Sequence, residues 1–224
     1  MLNHNTELVL IRILALLLLA GCASQSPSLM PVATPLPEQT NTVPAAAAGA
    51  VTAVVPAAAM LTPALEKVMA DAARLMLAGQ EEQALGQYAQ VQRAAPQHVS
   101  AWLNAALIKR KQKKLPEALA LIDSALAQRP NEARTLDLKG LVLREQGKIA
   151  EAKAAYLAAV KADDNYPPAH RNLAVLADLY LDEPVLALRH MERYAALVGD
   201  NKQVNSWLGE LRRRAQNKPE GATP

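Results

Sequence analysis

Residues 99–132 read VSAWLNAALIKRKQKKLPEALALIDSALAQRPNE, and the interval at which their small and bulky side chains recur decides the fold. Shifted by 34 residues, the chain matches itself. Ala72, Ala106, Gly140 and Ala174 form one ladder at that interval, and Ala84, Ala118, Ala152 and Ala187 form a second whose last step is 35. The first ladder keeps register while the second slips, so one extra residue lies between Ala174 and Ala187. Leu181-Asp182-Glu183, ahead of Pro184, is its expected place. Tyr88, Ile122, Tyr156 and Met191 follow the second ladder by four residues each and hold the same frame.

Periods of this length mark stacked supersecondary units. Small side chains on facing helices let two backbones draw together, and Leu, Tyr, Met and Trp from adjacent turns fill the groove between successive pairs. One helix pair cannot bury its apolar face alone, whereas a stack makes a continuous core. The punctuation agrees, with Pro116 opening a second helix, Gly79 and Gly147 in turns within repeats, and Pro96 and Pro130 between repeats.

This pattern resembles the tetratricopeptide repeat. Val99 to Glu132 matches best, with Trp102, Ala106, Ala118, Ala125 and Pro130 at signature positions, and Ala133 to Tyr166 supplies Gly140, Gly147, Ala152, Tyr156 and Ala159. Leu65 to His98 and Pro167 to Asp200 complete the set. The resemblance implies an all-α, right-handed superhelical solenoid of about four helix-turn-helix repeats over residues 63–200. Val204, Trp207, Leu208 and Leu211 then fall at i, i+3, i+4 and i+7, a stripe that predicts a capping helix over 201–214. Arg212, Arg213 and Arg214 complement the negative end of that helix. Residues 215–224 read as a tail.

The other end of the chain carries a second resemblance. Leu19-Ala20-Gly21-Cys22, which includes the only cysteine, follows the apolar run Ile13–Leu19 and resembles the lipobox of a bacterial lipoprotein signal peptide. It implies that residues 1–21 are removed and that Cys22 carries the lipid, palmitate included. A diacyl or triacyl anchor at about 0.8 kcal/mol per buried CH2 holds a membrane firmly. By family habit Ala23 after the cysteine points to the outer membrane, lipid-anchored and facing the periplasm. A plain secretory signal or a buried N-terminal helix, with Cys22 incidental, is the alternative. Residues 22–62 hold six prolines and, as their only charge, Glu38; they read as the anchor and a disordered Pro/Ala-rich linker.

Composition narrows the chemistry. Beyond Cys22 there is no thiol, which excludes disulfides and thiolate metal sites. A net charge of +3, dispersed, argues against nucleic acid. His98, His170 and His190 have no second ligand at i+3 or i+4, and neither a nucleophile elbow, a phosphate-cradling loop nor a His-Glu-x-x-His pair occurs. The expectation is a non-enzymatic protein with no catalytic residue, metal, cofactor or small-molecule substrate. His170 occupies the frame position of Trp102 and reads as a packing residue. Asp163-Asp164 and Asp182-Glu183 read as turn or capping carboxylates. The basic run Lys109 to Lys114 is either a solvated helix end or a docking patch for an acidic partner.

The tetratricopeptide resemblance further implies a concave surface lined by the first helix of each pair. On this chain the candidate groove residues are Asn104, Leu107, Arg110, Asp137, Leu141, Arg144, Arg171, Asn172 and Val175. The asparagines would pair with an extended backbone, the arginines with carboxylates and the leucines with apolar side chains. The carboxylate clamp of chaperone-binding relatives is not matched as a complete set. The expected function is a membrane-anchored protein–protein interaction scaffold of the cell envelope that binds a peptide or helix of an envelope complex, with pilus or secretion-machine biogenesis first. An accessory role toward peptidoglycan enzymes or an energy-coupled, TonB-type transport complex is the alternative.

Overall fold

The computed structural model describes residues 61–199 and 201–217. The expected signal peptide, Cys22, nearly all of the expected linker and the end of the expected tail lie outside them. Within this range four helix pairs follow one another: α1 (Pro63–Leu77) with α2 (Glu81–Ala94), α3 (Val99–Lys111) with α4 (Leu115–Gln128), α5 (Ala133–Glu145) with α6 (Ile149–Ala162), and α7 (Pro167–Leu179) with α8 (Pro184–Val198). A last helix, α9 (Lys202–Asn217), follows them. There is no strand among the described residues, and no described helix is long and apolar enough to cross a membrane.

Local chemistry sets the helix starts. Thr62 caps α1 by accepting from the Leu65 amide at 3.3 Å, and Glu132 caps α5 by accepting from the Thr135 amide at 2.6 Å. Proline opens α1, α4, α7 and α8, where its missing amide costs nothing. The turn inside every pair needs one left-handed residue, at Gly79, Lys113, Gly147 and Asp182. Two glycines meet that need freely; Lys113 and Asp182 adopt it against their side chains.

The position of that residue also locates the insertion. In the first three pairs the amide after the left-handed residue bonds a carbonyl five positions back: Gln80 to Leu75, Lys114 to Lys109, Lys148 to Leu143. In the fourth, Glu183 reaches back six, to Ala177. The extra residue is therefore taken up in the turn after α7, around Tyr180 and Leu181, and it leaves both helices of the pair intact.

Both ladders are interior. Ala72, Ala106 and Ala174 are fully buried and Gly140 is buried with them; Ala84, Ala118, Ala152 and Ala187 are fully buried on the partner helices, as are Tyr88, Ile122, Tyr156 and Met191. Each second helix packs on its own first helix and on the next one, so the core is continuous from α1 to α8. Helix α9 packs on α8 and closes the array by placing Val204, Leu208 and Leu211 against Ala174, Ala177, Ala187 and Met191. The arginines that follow do more than face a helix dipole: Arg212 pairs with Glu192 at 2.9 Å, Arg213 with Glu210 at 2.6 Å, and Arg214 with Asp178 and Asp182.

Candidate functional site

Consecutive first helices touch: α1 meets α3, α3 meets α5, and α5 meets α7. The second helices do not approach one another in this way. The array therefore curves toward its first helices, and their outward-facing side chains line the inner surface. Leu107, Leu141 and Val175 recur there at one frame position, each half-buried.

The polar candidates are divided by the structure into three groups. Asn104 is half-buried, and its amide donates to the Tyr88 hydroxyl at 3.2 Å. Asp137 and Asn172 are buried and bonded to each other, the Asn172 amide donating to the carboxylate at 2.8 Å. Burial holds the Asp137 carboxyl up at about 6, against the opposing pull of that hydrogen bond and of Arg171 and Arg144. Arg110 is bound to Glu145 at 2.6 Å, whereas Arg144 lies 5.8 Å over the ring of Tyr180. Thus Asn172 and Arg110 are engaged within the chain, while Arg144 and Arg171 have no ion-paired carboxylate among the described residues.

Under this surface lies the ring of Tyr156, fully buried, with a hydroxyl that has no hydrogen-bond partner among the described residues. Burial raises the Tyr156 phenol above its ordinary range, so it stays protonated and can only act as a neutral group. The C-terminal end of the surface is occupied by α9. Its Trp207 indole donates to Asp178 at 2.9 Å and Arg214 pairs with the same carboxylate.

Other candidate features resolve differently. The basic run at 109–114 is largely solvent-exposed at Lys111, Lys113 and Lys114, and Lys109 pairs with Glu117 at 2.9 Å, Lys111 with Glu81 at 2.7 Å and Arg110 with Glu145. Those contacts tie α3 to its neighbours on both sides. Two histidines that looked scattered come together: His170 and His190 meet Nδ1 to Nδ1 at 3.0 Å, buried between α7 and α8. No group of three or more metal-ligating side chains converges among the described residues.

The sequence signal for the groove contacts existed but was subtle. Asp137 to Asn172 and Arg110 to Glu145 are both 35 residues apart, one repeat plus one, which places each pair on adjacent first helices. The His170–His190 contact spans an antiparallel pair, and no fixed spacing announces it.

Comparison with known proteins agrees with this architecture. The tetratricopeptide-repeat family model matches residues 74–133 and 138–182. The protein O-mannosyl-transferase TMTC3 of Homo sapiens is 35% identical over 98 residues, which are 43% of this chain and 11% of that protein. The chain thus spans about a ninth of the curated relative it matches. Among solved structures, one from the functional characterization of Pseudomonas aeruginosa pilF has a TM-score of 0.60 at 22% identity, over 69% of this chain and 70% of that one. The MamA RS-1 ArsTM double mutant gives 0.58 at 18%, over 70% and 88%. A tetratricopeptide repeat protein from Parabacteroides merdae gives 0.58 at 18%, over 70% and 62%. At such identities the likeness is one of fold. The described helices form a tetratricopeptide-repeat solenoid, an architecture that generally serves to bind protein partners.

Proposed function

We propose that this protein is a scaffold of the cell envelope, anchored in the outer membrane through a lipid on Cys22, whose concave surface captures a peptide or helix of another envelope protein. The observation that carries the reading is the row Leu107, Leu141 and Val175, apolar side chains left half-exposed on the inner face of three successive first helices. A row of this kind suits alternate apolar side chains of a bound segment. The polar groups beside it suit orientation more than affinity. Pilus or secretion-machine biogenesis is the first pathway to examine, and peptidoglycan enzymes or a TonB-type transport complex are the alternatives; this ranking rests on family analogy.

Crosslinking mass spectrometry on intact envelopes, comparing the native chain with a Leu107→Asp, Leu141→Asp variant, tests the binding role. Specific crosslinks to one envelope protein, lost in the variant, are expected. Equal crosslinking by both forms would remove the groove from the account. Metabolic palmitate labelling that is lost in Cys22→Ser tests the anchor, and labelling absent from the native chain would place the protein elsewhere.

A further inference from the structure

Tyr88 and Tyr156 hold one frame position two repeats apart, both are fully buried, and each is followed at the same spacing of 16 residues by an asparagine on the next first helix. Only the first hydroxyl is satisfied. Asn104 on α3 donates its amide to Tyr88 on α2 at 3.2 Å. Asn172 on α7 donates instead to Asp137 on α5 at 2.8 Å, and the Tyr156 hydroxyl on α6 has no hydrogen-bond partner among the described residues. One residue separates the two arrangements. Asp137 stands 35 residues before Asn172, and at that distance before Asn104 stands Met69, whose thioether accepts only weakly.

Buried hydroxyls are almost always paired, so an orphan inside a packed array calls for a cause. The carboxylate supplies it. A hydrogen bond to an ionised acceptor is about twice as strong as one between neutral groups, so ionised Asp137 outcompetes the phenol for the amide. A proton on Asp137 removes that advantage and gives the carboxyl a donor of its own. The groups facing Asp137 are Arg144 on its own helix, Arg171 and Asn172 on α7, Tyr156 on α6 and Tyr166 in the loop before α7. Both guanidinium groups favour the carboxylate, burial opposes them and prevails, and Asp137 takes up its proton at about 6. None of the others changes charge near that pH.

We propose that Asp137, Asn172 and Tyr156 form a proton-operated switch inside the array: with Asp137 ionised the Asn172 amide ties α5 to α7, and with Asp137 protonated it turns to the Tyr156 hydroxyl and ties α6 to α7, as Asn104 ties α2 to α3. The cross-link then leaves the row of first helices that curves the array. Leu141 and Val175, one turn along from Asp137 and Asn172 on the same two helices, shift with it. The switch lies within the chain and stands whether or not the groove binds a segment.

NMR on the whole chain tests this, following the Asp137 carboxyl carbon, the Asn172 side-chain amide, the Tyr156 ring and the Leu141 and Val175 methyls as pH is lowered. All are expected to move with one midpoint near 6, while Asn104 and Tyr88 stay still. Asp137→Met, which copies Met69, should hold Asn172 and Tyr156 at their low-pH positions at every pH, and Asp137→Asn should do the same if the methionine variant fails to fold. Tyr156→Phe keeps the ring and removes the hydroxyl, so the protonated state loses its partner for Asn172. The Asp137 midpoint should then fall by about half to one pH unit, the worth of one ordinary hydrogen bond. Loss of a hydroxyl that took no part would make the site more apolar and raise the midpoint or leave it unchanged, and either result overturns the switch. So does an Asp137 titration that leaves Asn172 and Tyr156 unmoved, or movement of those two that persists without the aspartate.

Discussion

Gly140 and the ring of Tyr156 are in such close contact that a Cβ placed on Gly140 would lie 2.6 Å from two ring carbons. The ring is fully buried and belongs to the second helix of the same repeat, so α5 and α6 meet closely at a residue that has no side chain. Gly140→Ala is expected to destabilise the protein by about 1–3 kcal/mol through overpacking. Gly86, with nothing near its absent Cβ, is the control; Gly86→Ala in mid-helix should stabilise by roughly 0.5–1 kcal/mol. Urea midpoints of the two variants moving in the same direction would refute this account of the contact.

Lys113 holds a left-handed backbone at φ 60 where Gly79 and Gly147 hold it at φ 74 and 76. Its side chain is mostly solvent-exposed and its ion pair with Glu145 is long, at 3.8 Å. Lys113→Gly should therefore stabilise by about 1 kcal/mol, the strain outweighing a weak surface pair. A drop in thermal midpoint would show that the pair matters more than the backbone.

His170 and Trp102 do the same work in different repeats. The Trp102 indole donates to the carbonyl of Pro96 at 2.9 Å, and the His170 Nε2 meets the carbonyl of Asp164 at 3.0 Å, each six residues back. A carbonyl only accepts, so His170 carries its proton on Nε2 and its bare Nδ1 accepts from His190. Burial first, with the His170 ring and Arg189 beside it adding to the effect, depresses His190 to about 4, Asp164 opposing them. The unfolded chain therefore takes up a proton first, and this contribution to stability is complete above about 6.5 and lost as pH falls toward 4. Nitrogen-resolved NMR is expected to show the Nε2–H tautomer on His170 and the Nδ1–H tautomer on His190 at neutral pH. The reverse assignment would break the link to Asp164.

Asp137 has the opposite sign. Raised from 3.8 to about 6, it favours the folded state below pH 3.8 and loses that contribution as pH rises through 6. Over the interval between 4 and 6 it offsets His190. Asp137→Asn removes one side of the balance, so its stability should fall more steeply on acidification than that of the native chain. Urea midpoints taken across that range provide the measurement, and parallel curves for the two proteins would contradict it.

Leu211 is fully buried in the seam between α9 and the fourth pair. Leu211→Ala should cost about 2–5 kcal/mol. Hydrogen exchange should then rise in α7 and α8 before it rises in α1 and α2, because each unit of the array touches only its neighbours. Uniform loss of protection would mean that the array unfolds as a single block.

Much of the fold was legible because it is periodic. Ala72, Ala106 and Ala174 recur where helices must approach, and a pattern 34 residues long needs no three-dimensional information to be seen. The extra residue after α7 was legible for the same reason, since two ladders slipped relative to each other. The left-handed residue in every turn was legible only at Gly79 and Gly147. At Lys113 and Asp182 side-chain identity opposes the backbone that tertiary packing imposes.

The candidate groove was legible as a set of positions and not as a set of available groups. Counting from Trp102 in the tetratricopeptide frame places Arg110, Arg144, Asn104 and Asn172 on the inner surface, as the resemblance implies. Which of them is engaged depends on where neighbouring side chains end. Glu145 happens to reach Arg110, and Asp137 happens to lie beside Asn172, one repeat plus one residue away.

By itself, then, the sequence determined that paired helices stack, how many residues each repeat takes, and where one residue was added, since spacing and side-chain size are properties of the chain. The tertiary structure alone decided that His170 faces His190, that Asp178 is held by α9, and that Arg144 and Arg171 make no ion pair with a carboxylate among the described residues. Those are matters of a few ångströms between side chains on different helices, and short-range electrostatics is set by such distances and by the water excluded around them.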